Sequence, residues 1–129
     1  MSKLEKKIIK TDNAPAAIGP YSAGVAAGAF VFTAGQIGLD PKSGQMVEGG
    51  VEAEAKRALT NLKGILEATG SSLGNVVKTT VFLKDMADFA KVNAVYAEFF
   101  TENPPARSAV QVAALPKNAL VEIEAIAIL

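Results

Sequence analysis

Leu120-Val121-Glu122-Ile123-Glu124-Ala125-Ile126-Ala127-Ile128 is the stretch that decides the fold. Read as a strand, it sends alternate side chains to opposite faces. Val121, Ile123, Ala125 and Ala127 then share one face, and Leu120, Glu122, Glu124, Ile126 and Ile128 share the other. Both faces carry apolar residues, so both are expected to be covered. Helices would cover one, and neighbouring copies of the chain the other.

The segments upstream supply the helices and the remaining strands. Leu115-Pro116-Lys117-Asn118 reads as a turn and Arg107 to Val112 as a strand. Pro104-Pro105 stops the helix before it, because proline lacks the amide hydrogen and clashes with the preceding turn. That helix carries Phe89, Val92, Tyr96 and Phe99 on one face. Asp85 is its expected N-cap, with Asp88 three residues on. Val76 to Leu83 is β-branched and apolar, a strand. Val51 to Thr69 has helical spacing, with Val51, Ala55, Ala58/Leu59, Leu62 and Ile65/Leu66 in one stripe. Glu52 and Glu54 sit in its first turn, where the dipole favours anions, and Gly70 is placed to cap its end. Val25 to Ala29 and Phe30 to Ala34 read as two strands of a hairpin around Gly28. The first ten residues, with Lys3, Lys6, Lys7 and Lys10, suit a solvated edge strand. The order is β-β-β-α-β-α-β-β, an α/β (α+β) domain with two helices on one face of a mixed sheet.

Composition bounds the chemistry. The chain has 129 residues, of which 50% are apolar and 20% charged, which is one globular domain spanning 1–129. Without cysteine or histidine it has no thiolate nucleophile, imidazole base, Ser-His-Asp triad or Cys/His zinc site. A site for a metal held by carboxylates alone stays open. Lys+Arg and Asp+Glu are 13 each, and this balance weighs against nucleic acid as a partner. No stretch is long enough to span a membrane. Met1 to Lys7 mixes charges and lacks a signal-peptide core, which points to the cytosol. The mean hydropathy of +0.26 is high for so small a chain and favours self-association.

Several residues are candidates for chemistry. Glu122 and Glu124 share a face of an otherwise apolar strand. They are either solvated carboxylates at a sheet margin or a carboxylate held in a partly desolvated cleft, where it could relay protons. Arg107 begins a strand after Pro104-Pro105-Ala106. It is either a structural arginine or a planar fork for a carboxylate ligand. Tyr21 follows Gly19-Pro20, a step that fixes backbone direction and could aim the ring. Asn93 lies on the polar side of the second helix. Gly35-Gln36-Ile37-Gly38 reads as a turn where backbone approaches something closely, rather than as a nucleic-acid clamp. Residues alone lead to an oligomeric α/β domain with a site for a small anion.

Six segments go further: Asn13-Ala14-Pro15-Ala16-Ala17-Ile18-Gly19-Pro20-Tyr21, Thr33-Ala34-Gly35-Gln36-Ile37, Val77-Lys78-Thr79-Thr80-Val81-Phe82, Asp88-Phe89-Ala90-Lys91-Val92-Asn93, Pro105-Ala106-Arg107-Ser108 and Val121-Glu122-Ile123-Glu124-Ala125-Ile126-Ala127. In this order, over nearly the whole chain, they resemble the Rid (RidA/YjgF) family of reactive intermediate imine deaminases. The resemblance implies a chorismate-mutase-like fold and a homotrimer with a central barrel, outer helices and ligand clefts between subunits. It implies hydrolysis of 2-imino acids to 2-keto acids and ammonia, without cofactor or metal. The substrates would come from pyridoxal-phosphate-dependent dehydratases acting on threonine and serine. It also implies that Arg107 holds the substrate carboxylate and that Glu122 handles the attacking water. Tyr21 and Asn93 would line the pocket, and Gly35 would admit the ligand to the backbone. Ala109 stands where the family frequently has cysteine, which bears on pocket polarity.

A simple hairpin of the last two strands about Lys117–Asn118 would put Val112–Ala113 opposite Glu122. Arg107 would then lie ~17–20 Å away along the strand. The two residues are therefore expected to meet only across a subunit boundary. The rival readings are a non-catalytic acid-binding regulator, a chaperone-like trimer and a ribonuclease.

Overall fold

The computed structural model describes residues 4–129. Lys3, counted above in the basic N-terminal run, lies outside the described residues. The strands are β1 (Lys6–Ile9), β2 (Gly24–Ala27), β3 (Phe30–Thr33), β4 (Val76–Leu83), β5 (Ala106–Gln111) and β6 (Val121–Ile128). The helices are α1 (Gly50–Ala68) and α2 (Phe89–Phe99). They form one six-stranded sheet in the order β1-β2-β3-β6-β4-β5. All pairs are antiparallel except β4 with β5. The fold is mixed α+β, in the element order read from the sequence.

Local chemistry explains the elements. Gly28 turns the β2–β3 hairpin at a φ of +59°, a region L side chains rarely adopt. Gly70, at φ +88°, ends α1 and donates its amide to Glu67 O. Asp85 caps a single 3₁₀ turn, Met86–Asp88, by accepting from Ala87 N at 2.9 Å. That turn leads into α2, so the cap acts one turn before the expected position.

The last two strands do not form the expected hairpin. The chain leaves β4 through α2 and returns as β5 parallel to it, with Thr79 opposite Arg107. The 112–120 connection then passes β4, and β6 inserts between β3 and β4. Burial gives the reason. A strand apolar on both faces loses more by lying at an edge than in the centre, and β5, with Ser108 and Gln111, takes the edge instead.

Both helices pack on one face. Val31, Val81, Leu83, Val121, Ile123, Ala125 and Ala127 point toward them and are buried with Leu59, Leu62, Ile65 and Leu66 of α1. The opposite face is bare. It carries Ile8, Phe30, Phe32, Val110 and Ile128, each between 41% and 45% exposed.

Candidate active site

Glu122 lies on the bare face near the start of β6, beside a cleft of about 670 Å³. Tyr21, Gly35, Ile37, Pro116 and Lys117 help line it. A local break in the sheet opens this cleft. Thr33 Oγ1 accepts from Ala125 N at 3.0 Å, in place of a ladder carbonyl. The chain resumes pairing at Gln36, which exchanges both backbone bonds with Ile123 (2.8 and 2.9 Å). Gly35, between these points, passes directly under Glu122. A methyl group added there would stand 2.5 Å from Glu122 Oε2. The close approach expected of this glycine is therefore to a carboxylate. Burial pushes the Glu122 carboxyl above the usual carboxylate range, and Glu124 adds repulsion. Tyr21 is half exposed, and its hydroxyl reaches Ile18 N at 3.5 Å.

Arg107 belongs to a second cluster on the helix-covered face. Its Nη1 donates to Asn93 Oδ1 at 2.7 Å. Its guanidinium carbon lies 4.7 Å from the Tyr96 ring centre and 5.3 Å from that of Phe89, distances at which a cation is attracted to a ring face. Tyr96 is itself fixed by a 2.8 Å hydrogen bond to the buried Thr79 hydroxyl. Burial raises the Tyr96 phenol, while Thr79 and the Arg107 charge oppose that rise. Ala109, two residues along β5, faces the same way and packs against the core. The plane and position of the guanidinium are thus set by α2.

One chain does not bring Arg107 and Glu122 together. Arg107 is level with Thr79 and Glu122 with Phe82, so β4 and three residues of rise separate them. Their α-carbons are about 14 Å apart at standard sheet spacings, and their side chains leave from opposite faces. The structure joins Tyr21 and Gly35 to Glu122, and Asn93 and Ala109 to Arg107.

The supporting roles of three residues were not read from the sequence. Glu54 is 7% exposed and accepts from Leu120 N at 2.8 Å. Burial raises its carboxyl, and the Leu120 amide opposes this. Asn61, fully buried, donates to Ile37 O (3.2 Å) and Leu39 O (2.9 Å), pinning the cleft wall. Lys117 sits at the cleft with φ 55°. Glu54 and Asn61 are seven residues apart in α1 and so share a face with its apolar stripe. A polar residue on a buried stripe was the available signal. Among the described residues, no group of three acidic side chains could hold a metal ion.

Known structures share this architecture. The YjgF gene product of E. coli has a TM-score of 0.90 and 55% identity, covering 95% of this chain and 98% of that one. E. coli TdcF, solved with bound serine, has a TM-score of 0.92 and 49% identity over 95% and 98% of the two chains. The class is therefore a single-sheet α+β domain of the Rid type. The family described as endoribonuclease L-PSP matches residues 11–129, and the chain belongs to that family. A mouse relative named 2-iminobutanoate/2-iminopropanoate deaminase is 56% identical, over 99% of this chain and 95% of its own length.

Proposed function

We propose that this protein hydrolyses 2-imino acids, with 2-iminobutanoate and 2-iminopropanoate as the type substrates, to 2-keto acids and ammonia. The observation that carries this reading is the 56% identity to the mouse deaminase over nearly the full length of both chains. The chemistry suits the residues. An imine carbon is already electrophilic, so water can add without a covalent nucleophile. Positioning and one proton-transfer group suffice.

Arg107 offers its planar fork to the substrate carboxylate, held in place by Asn93 and the two rings. Glu122 orients water toward the imine carbon. As the C–O bond forms, the C=N π pair goes to nitrogen and a water proton passes to it through Glu122, giving a carbinolamine. The hydroxyl proton then follows by the same route, the C=O forms as the C–N bond breaks, and ammonia leaves a 2-keto acid. Tyr21 and Gly35 line the pocket beside Glu122, and Ala109 lies beside Arg107. These groups meet where one copy presents its Arg107 edge to the Glu122 cleft of the next, in a homotrimer whose bare sheet faces turn inward. The surface area supports assembly. The chain alone exposes 7390 Å², against roughly 6,500 Å² for a compact monomer of this mass. The imines arise as unstable products of pyridoxal-phosphate-dependent dehydratases, and the reaction belongs beside them in the cytosol.

The test is keto-acid release from 2-iminobutanoate made in situ by a dehydratase. The parent protein is expected to accelerate release, and Arg107→Ala and Glu122→Ala each to lose at least ~10²-fold. Undiminished rates in both variants would sink the assignment of these residues.

A further inference from the structure

We propose that Glu54 is a positioning residue for Glu122, fixing from behind the cleft both the start of β6 and the loop that carries Gly35. The inference rests on the hydrolase reading above.

Both glycines of Gly35-Gln36-Ile37-Gly38 are pressed against a glutamate. A methyl group on Gly35 would stand 2.5 Å from Glu122 Oε2, and one on Gly38 would stand 2.8 Å from Glu54 Cα and 3.0 Å from its Cβ. The loop is thus a spacer clamped between the two acids. Glu54 then reaches past it to Leu120 N at 2.8 Å. Lys117 and Asn118, immediately before, both have φ 55°. Non-glycine residues keep that conformation only where the surroundings hold them. The holds here are Ala119, fully buried with its amide donating to Pro116 O, the Lys84 amide donating to Leu120 O, and the carboxylate bond to Leu120 N. On the other side of Glu122, Ile123 is fixed by its two bonds to Gln36. Glu122 therefore sits between two anchors, Gln36 holding Ile123 just after it and Glu54 holding Leu120 two residues before it. An apolar residue in place of Glu54 would leave the Leu120 amide without this partner.

Glu54→Asp keeps the charge but shortens the reach by one methylene. Glu54→Gln keeps an oxygen acceptor at full reach. Since a displacement of 1 Å can cost ~10²-fold, the aspartate variant is expected to lose about tenfold or more in kcat. Its KM should hold within about twofold, because Arg107 is anchored elsewhere. The glutamine variant is expected to stay within about twofold in both. Carbon-13 NMR titration of the Glu122 carboxyl gives a readout that needs no substrate, and its midpoint should move in Glu54→Asp and hold in Glu54→Gln. Failure of the parent to hydrolyse the imine would overturn the hydrolase reading alone. A folded Glu54→Asp with unchanged kcat and an unchanged Glu122 titration would overturn this inference. If that variant does not fold, Gly38→Ala, which forces the loop off Glu54, is read by the same two measurements, and no change in either overturns it.

Discussion

Glu122 keeps its proton more tightly in the folded chain than in the unfolded one, because burial and Glu124 both disfavour its charge. The folded-state pKa lies above the unfolded value, so ionisation costs stability. That cost is absent below the unfolded value near 4.3 and grows as pH rises through the folded value. Glu122→Gln is therefore expected to melt higher than the parent at pH 7, and the difference should vanish below about pH 4, as calorimetry across pH can show. The same substitution should cost ~10²–10⁴-fold in kcat, the usual worth of a general base. The parent's kcat/KM should fall on the acid side at a pH above the ordinary glutamate range. Arg107 poses the opposite problem. What matters there is the plane of the guanidinium, and Asn93, Phe89 and Tyr96 settle it.

At the scale of elements, the break between β3 and Gln36 makes the cleft, and Gly35 is its narrowest requirement. Gly35→Ala is expected to fold, since its backbone is not in the left-handed region, and to lose at least ~10-fold in kcat by displacing the carboxylate, as steady-state kinetics would show. The strands and helices were legible because their periods are local. The apolar stripe of α1 and the alternation of β6 can be read from a few neighbouring residues. The place of β6 in the sheet was not. It depends on a parallel return through α2, and the pairing of β4 with residues 28 or more positions away leaves no local trace. The same crossover joins Arg107 to Asn93 across fourteen positions. Both residues were visible as candidates, but their partnership was not. Glu54 was read as a dipole-favoured acid in a first turn, whereas its neighbours Val51 and Ala55 already marked it as facing inward.

For the whole molecule, the bare face matters most. Phe32 stands near its centre, beside Ile126 on β6, and is 43% exposed. Phe32→Asp would put an unpaired charge into any contact made there, at a desolvation cost of several kcal/mol. The variant is expected to sediment as a single 13.3 kDa chain, to keep its circular dichroism because the helix-side core is untouched, and to lose imine hydrolysis. A monomer with full activity would show that each chain completes a site alone.

The placement of Arg107 and Glu122 on opposite sides of the sheet has a genetic corollary. If every copy lends its guanidine to one neighbour and its acid to the other, two crippled versions can repair each other. Arg107→Ala and Glu122→Ala proteins, each inert, are expected to regain activity when unfolded together in equal amounts and refolded. In a ring built by random draw, roughly one seam in four unites an intact guanidine with an intact acid. A revival to about a quarter of parental turnover would show that each site draws its guanidine and its acid from different copies.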